Sequence, residues 1–221
     1  MTPYWSGDGV ELYLGDCREI DAWLAADVLV SDPPYGIGWK RSANPARASA
    51  AHAGIQGDAD TSTRDAALAL WGDRPGIVFG SFYAPRPADF RQILVYRKPP
   101  DSGVVGSTTG YRRDVEPIFL VGQWPKRSAA WSSVIVSGAR LQGSPSGASA
   151  RYGHPHAKPV DVMETLIAAC PPGVIADPFA GAGSTLVAAR NLGRRAIGIE
   201  LEERWAEQAA RRLAQTALEI A

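Results

Sequence analysis

The chain has 221 residues, 45% of them hydrophobic and 21% charged, enough to bury a substantial core and a better fit to one domain with insertions than to two. Basic and acidic side chains balance at 23 each, which argues against a uniformly polyanion-seeking surface, and Cys17 and Cys170 lack Cys/His metal spacing, which leaves two buried thiols and no metal site. No apolar run approaches the roughly 18 residues of a membrane span, and Met1 to Gly9 is polar and glycine-rich, so the reading is a cytoplasmic chain without a membrane partner.

In chain order, Val10 to Leu14 alternates weakly and ends at Gly15-Asp16, predicting a short strand that delivers Asp16 to a sheet edge. Asp21 to Ala26 reads as one short helix. Val28-Leu29-Val30 is an apolar run that predicts a buried strand, and it leads straight into Ser31-Asp32-Pro33-Pro34-Tyr35-Gly36. A carboxylate, two prolines that fix the turn, and an aromatic ring then sit at a strand's carboxyl end, where open α/β sheets bind ligands. Residues 38–62 have no period and are read as a mobile substrate loop carrying Lys40 and Arg41.

Thr63 to Trp71 predicts a helix with Asp65 in its first turn, and Gly76 to Gly80 a strand ending in Ser81-Phe82-Tyr83, which again puts aromatics at the carboxyl edge. Gln92 to Tyr96 and Glu116 to Gly122 predict two strands with no helix between them, which implies an antiparallel member. Val134 to Val136 is a short edge piece, Ser137 to Gly153 a loop, and Lys158 to Ala169 a helix with Val160, Met163, Leu166 and Ile167 as its apolar stripe. A strand over Gly173 to Ala176, a glycine-rich turn over Asp177 to Thr185, a helix over Leu186 to Leu192, a strand over Arg195 to Ile199 and a final helix to about Ala217 complete the chain.

Charge is unevenly spread. From Arg91 to Lys158 ten basic residues face three acids, a local net of +7, which suggests one face for an anionic partner. The strand, glycine turn and helix from Gly173 to Leu192, with Glu200 at the tip of the next strand, form a βαβ half suited to a nucleoside-containing cofactor. Gly181 and Gly183 let a backbone approach a ligand, and Glu200 can accept from two ribose hydroxyls. The third glycine of the dinucleotide fingerprint is missing, and Asp177 brings a negative charge that suits a sulfonium better than a pyrophosphate.

Together these stretches resemble the S-adenosylmethionine-dependent amino DNA methyltransferases. Asp32 to Tyr35 is similar to that family's Asp-Pro-Pro-Tyr turn and Phe179-Ala180-Gly181-Ala182-Gly183 to its Phe-x-Gly-x-Gly turn. His154-Pro155-His156-Ala157-Lys158-Pro159, Leu14-Gly15-Asp16-Cys17, Val95 to Pro99 and Glu116-Pro117-Ile118 resemble further elements, and the catalytic turn precedes the cofactor turn, the permuted order of the β group.

The resemblance implies an α/β, Rossmann-like methyltransferase fold: a mostly parallel seven-stranded sheet with an antiparallel strand and helices on both faces, residues 1–221 forming one catalytic domain. It assigns catalysis to Asp32, Pro33, Pro34 and Tyr35. Asp177, Phe179, Gly181, Gly183 and Thr185 would hold the methionine part of S-adenosylmethionine, Glu200 its ribose, Asp16 its adenine amino group, and Lys158 would lie near its carboxylate. Tyr35 would offer a stacking face to a base flipped from double-stranded DNA, and Lys40, Arg41, Arg112, Arg113, Arg140 and Arg151 would meet the DNA. His154 and His156 are read as structure ahead of a helix. Residues 123–153 leave a reduced target-recognition segment, which implies a short recognition sequence, loose specificity or a homodimer that shares the task. Aspartate leading the turn favours adenine N6, with cytosine N4, RNA, or a silent methyltransferase-fold subunit as alternatives.

Overall fold

The computed structural model describes residues 1–38, 55–99, 110–126, 130–137 and 157–215, and the statements that follow concern these. Nine strands form one sheet: β1 (Trp5–Gly7), β2 (Val10–Leu14), β3 (Val28–Ser31), β4 (Gly76–Phe79), β5 (Gln92–Arg97), β6 (Val115–Val121), β7 (Val134–Val136), β8 (Ile175–Asp177) and β9 (Ala196–Glu200). Their order across the sheet is β1-β2-β9-β8-β3-β4-β6-β5-β7. β2, β9, β8, β3 and β4 run parallel, β6 is antiparallel to both β4 and β5, and β7 runs parallel to β5.

Two points correct the sequence reading. The sheet has nine strands instead of seven, and β1 is a second antiparallel member, paired Trp5↔Leu12 to Gly7↔Val10. The hairpin is closed by Asp8 (φ 49) and Gly9 (φ 76), the two positive φ angles of a tight two-residue turn whose twist matches the strands.

A 3-10 turn (Ala22–Ala25) and α1 (Ser62–Trp71) cover one face of the sheet, and α2 (Val160–Ala168), α3 (Ser184–Asn191) and α4 (Glu203–Ala214) cover the other. On the first face Trp23 and Trp71 stack with ring centroids 5.7 Å apart, and Phe119 packs edge-on to Phe90. On the second, Val162, Met163, Leu166 and Ile167 of α2 meet Leu186 and Val187 of α3 and the inward residues of β3, β4 and β8. Burial on both faces explains why β3, β4 and β8 are continuous apolar runs without alternation.

Two helix starts bear on the site. Pro159 occupies the N-cap of α2 (φ −59, ψ 137), and the residue before a proline is held extended. Lys158, read from sequence as helical, therefore lies outside the helix, and its side chain enters the sheet edge. Gly183 caps α3 in a left-handed conformation (φ 77), which starts that helix at Ser184, two residues earlier than the sequence suggested.

Gly183 was expected to let a ligand approach. Instead, a Cβ built there would lie 2.9 Å from Ala209 Cβ of α4, so the glycine serves helix packing. Gly183→Ala should destabilise the protein by about 1–3 kcal/mol through overpacking and an unfavourable φ, read as a lower denaturant midpoint. A midpoint within error of the parent's would contradict this.

Among the described residues no helix is long and apolar enough to cross a membrane.

Candidate active site

β3 and β8 are adjacent and parallel, so the Asp-Pro-Pro-Tyr turn and the glycine turn, about 150 residues apart in sequence, leave the sheet at the same edge. Ser31 Oγ, on the last residue of β3, donates to Asp177 Oδ1 on the last residue of β8 at 2.7 Å and ties the two strand ends together. A cavity of about 580 Å³ opens there, within the range of small-molecule sites. It is lined by Asp32 to Tyr35, by Asp16, by Asp177 to Ala182 with Thr185, and by Glu200, Lys158 and Glu116. Ordinary strand topology thus brings together nearly every described residue singled out from sequence. Gly183 and Arg112 are the exceptions, and neither lines the cavity.

At the turn itself, Asp32 Oδ1 accepts from the Tyr35 hydroxyl at 2.7 Å, and Asp32 Oδ2 pairs with Lys158 Nζ at 2.8 Å. Lys158 Nζ also donates to Tyr35 Oη at 2.9 Å and pairs with Glu116 Oε2 at 3.2 Å. Glu116 Oε1 in turn pairs with Lys98 Nζ at 2.6 Å. Asp32, Lys158, Glu116 and Lys98 thus form an alternating chain of charges with Tyr35 braced against it.

Burial raises the Asp32 carboxyl above its ordinary value, the Lys158 ammonium pulls it back only in part, and the Glu116 charge adds to the rise. Burial also pushes Glu116 up, but Lys158 and Lys98 overcome it and hold that carboxyl down at about 2. Lys158 would be lowered by burial, yet its two carboxylate partners keep it above the usual lysine value, so it stays charged.

This geometry adds partners to two residues expected at the site. Lys158, placed from the resemblance near a cofactor carboxylate, has its three donors taken by Asp32, Glu116 and Tyr35. Tyr35, expected to offer a stacking face, is half-buried against the core, with its hydroxyl bracing Asp32 and Lys158 Nζ 5.3 Å from its ring centroid. The exposed rings at this edge are Phe82 and Tyr83, 53% and 71% accessible, and Arg113 lies 4.8 Å over the Tyr83 ring.

The turn is held from behind by the described end of the segment read as a substrate loop. Gly36 N–H donates to the buried Asp58 carboxylate at 2.8 Å, and Gly38 N–H donates to Asp58 O. Gly36 (φ 73) has no room for a side chain, since a Cβ would come within 2.5 Å of the Asp60 backbone.

On the other side of the cavity, Asp177 is buried and accepts from Ser31, from Phe179 N–H at 3.2 Å and from Thr185. Burial raises it to about 6 in spite of these bonds. Glu200 accepts from Gly181 N–H at 2.7 Å and Glu202 N–H at 2.8 Å, and burial raises it to about 7. Asp16 lines the cavity with its carboxylate bound by Arg18, whose Nε donates to Oδ1 at 2.9 Å; that partner holds it below the ordinary value.

Of the residues assigned to DNA, Arg113 lines the cavity and Arg112 is exposed away from it. Lys40, Arg41, Arg140 and Arg151, with His154 and His156, lie outside the described residues. The basic middle segment is also less free than its sequence implied, because Lys98 and Lys158 are spent on Glu116 and Asp32.

Sequence reading missed Ser31, Lys98 and Glu116 as members of the site. Glu116 shares the inward face of β6 with Ile118, and a charged residue at an inward strand position was the signal available.

The sheet order, the helices on both faces and the paired turns at one edge define a Rossmann-like methyltransferase fold. The N6/N4 methyltransferase family model, described as DNA methylase, matches residues 87–211, more than half of the chain, and the chain belongs to that family of DNA methyltransferases. It is 29% identical over 219 residues to the Escherichia coli K12 protein named "Putative methylase YubD", covering 90% of this chain and 88% of that one. A shorter stretch of 65 residues is 46% identical to the type II methyltransferase M.ScaI of Streptomyces caespitosus, covering 28% of this chain and 21% of that protein. The fold is shared with the M1.HpyAVI–SAM complex, with a TM-score of 0.64 and 20% identity over 93% of this chain and all of that one. PvuII DNA methyltransferase (cytosine-N4-specific) has it too, with a TM-score of 0.64 and 15% identity over 98% of this chain and 90% of that one.

Proposed function

We propose that this chain transfers a methyl group from S-adenosylmethionine to the N6 amino group of adenine in double-stranded DNA, site-specifically, with the base extruded, and that residues 1–221 act as one catalytic domain in the cytoplasm. The observation that carries this is the Asp32 carboxylate, held by Tyr35 and Lys158 at the edge of a cavity shared with the glycine turn.

The cavity fits the proposed donor by its chemistry. Asp16, Asp177 and Glu200 give it an acidic wall, Pro178 and Phe179 an apolar one, a combination that suits a cationic ligand bearing hydroxyls and an aromatic base. Asp177, Phe179, Gly181 and Thr185 would hold the methionine part. Glu200 would hold the ribose and Asp16, sharing its carboxylate with Arg18, the adenine amino group. S-adenosylmethionine supplies an electrophilic methyl carried on a sulfonium.

The chain's own part is to prepare the nucleophile. An exocyclic amino nitrogen is weak because its lone pair is delocalised into the ring. The Asp32 carboxylate and the Pro33 carbonyl, fixed by Pro34, are set to accept both of its N–H bonds, which draws the nitrogen toward tetrahedral geometry and frees the lone pair. The new bond to nitrogen would form as the sulfonium–methyl bond breaks, leaving a neutral thioether, and the methylated nitrogen would release one of its two protons to solvent; positioning supplies most of the rate enhancement, and no covalent enzyme intermediate is needed. The duplex hides this nitrogen, so the base must leave the stack at a cost of a few kcal/mol. Phe82, Tyr83 and Arg113 provide exposed stacking surface and charge to offset that cost.

Cytosine N4 is the second reading, and the shared fold with the cytosine-N4-specific PvuII enzyme favours it. Aspartate at the head of the turn supports adenine. Nucleoside analysis of DNA methylated by the protein distinguishes them.

The ribose role has its own test. Glu200→Ala should weaken S-adenosylmethionine binding by roughly tenfold or more, the loss expected for a charge-assisted contact. In the parent, the same affinity should fall as pH drops through about 7, where Glu200 gains a proton. Titration calorimetry reads both, and an unchanged dissociation constant in the variant would remove the contact from the account.

A further inference from the structure

Glu116 has no place in the amino-group chemistry just described, yet it sits half-buried beside it with both carboxylate oxygens committed. Lys158 carries three N–H donors, and the structure gives each a different acceptor: Asp32 Oδ2 at 2.8 Å, Tyr35 Oη at 2.9 Å and Glu116 Oε2 at 3.2 Å. The lysine and its acceptors come from three different places in the fold. Asp32 and Tyr35 follow β3, Glu116 is the second residue of β6, and Lys158 is held extended ahead of α2 by Pro159.

We propose that Glu116 is a positioning residue for methyl transfer: by sharing the Lys158 ammonium with Asp32, it sets where that ammonium lies and keeps it from neutralising the Asp32 carboxylate that faces the base. The inference rests on the reading of Asp32 as acceptor of the amino group.

The physical argument is a competition for one cation. A lysine ammonium paired with a single carboxylate would draw most of that carboxylate's charge to itself, leaving a poor acceptor for a neutral amino group. A second carboxylate on the far side divides the attraction and also fixes the ammonium from two directions. Lys98 completes the arrangement by pairing with the outer oxygen of Glu116 at 2.6 Å, so the cluster carries no net charge despite its burial. All four line the cavity, with Asp32 at one end of the alternating chain and Lys98, partly exposed, at the other.

The groups that bear on Asp32 are Tyr35 from its own turn, Lys158 ahead of α2, Glu116 on β6, Lys98 at the end of β5 and Asp177 on β8. Removing Glu116 takes away a negative charge and turns Lys158 wholly onto Asp32. Asp32 becomes easier to ionise and, at the same time, a weaker acceptor. Removing Lys98 does the reverse, since Glu116 then draws Lys158 away from Asp32.

The test is steady-state methyl transfer to unmethylated plasmid DNA with radiolabelled S-adenosylmethionine, across pH, on the full chain. Glu116→Gln should lower kcat on the order of tenfold to a hundredfold, leave KM for S-adenosylmethionine unchanged, and move the acid limb of the kcat profile to lower pH. Glu116→Asp should recover part of the loss. Lys98→Met, at the exposed end of the chain of charges, should move the acid limb to higher pH, and it tests the idea even where Glu116→Gln does not fold. A merely structural glutamate would lower the amount of folded protein without shifting either limb. Acid limbs that stay where the parent's lies in both variants, or a Glu116→Gln plateau within about twofold of the parent, would overturn the proposal. Asp32→Ala run alongside separates the two claims: if it is inactive while Glu116→Gln is normal, only the positioning role fails, and if it is active, the reading of Asp32 fails instead.

Discussion

Asp32→Ala is expected to lower methyl transfer by on the order of 10²–10³-fold or more while S-adenosylmethionine binding changes little. The separation follows from the layout of the cavity. Asp32 lies on the turn after β3, whereas of the acids proposed for the cofactor Asp16 follows β2 and Asp177 and Glu200 end β8 and β9. Truncation removes the carboxylate acceptor and leaves the Pro33 carbonyl, which cannot hold both amino protons alone. It also leaves Lys158 with Glu116 and Tyr35, so the ammonium keeps two of its three partners and the fold should persist. Asp32→Asn is the sharper variant, because its shape is kept while one terminal atom becomes a donor pointed at Lys158 or at the amino group. Single-turnover transfer and calorimetric cofactor binding, measured on the same preparations, check both halves. Turnover within a few-fold of the parent would remove Asp32 from its assigned role.

Lys158→Ala should have the largest effect on stability, a loss of about 2–3 kcal/mol, below the full cost of breaking a buried pair because the two carboxylates it leaves without their shared cation are only partly buried. The fall in stability with rising pH, which the raised Asp32, Asp177 and Glu200 carboxyls already impose on the parent, should steepen as well. In the parent, Glu116 is held at about 2, below its unfolded value, so it contributes stability above the unfolded value that is lost as pH falls through about 2. Without Lys158, burial raises Asp32 further above its ordinary value, and Glu116, left with Lys98 as its only cation, rises from its depressed value. The variant should then lose stability more steeply than the parent as pH rises from 4 toward 8. Denaturant unfolding from pH 4 to 8 reads the two slopes, and parallel curves for parent and variant would contradict the electrostatic account.

What the sequence disclosed and what it hid follow from the range over which each signal acts. Apolar runs such as Val28 to Val30 identified β3, β4 and β8 because strands buried on both faces need no partner information to be recognised. β1 escaped, although Asp8-Gly9 is a strong hairpin signal, because three residues including a glycine and a serine carry no alternation of their own. Pro159 was visible, and its restriction on Lys158 could have been drawn from sequence; that one step moves the lysine out of a helix and into the cavity.

The site divides in the same way. Asp32, Tyr35, Asp177, Phe179, Gly181 and Glu200 were legible because each motif places its own residues locally. The packing demand on Gly183 was not legible, since it comes from Ala209, contributed by a helix 26 residues later. Glu116 and the real partners of Lys158 depend on the register of β5 against β6 and on the crossover that sets α2 beside β3, which single-sequence patterns do not fix. Tyr35 shows the same limit: its motif predicted an aromatic ring, and tertiary contacts turned it into a brace for Asp32.

The central claim is that the Asp32 turn holds an adenine amino group for methylation. Unmethylated DNA incubated with the protein and S-adenosylmethionine, digested to nucleosides and resolved by mass spectrometry, should yield N6-methyladenine, with none in the Asp32→Ala reaction. N4-methylcytosine as the sole product would contradict the base assignment, and the absence of any methylated nucleoside would contradict the proposed activity itself.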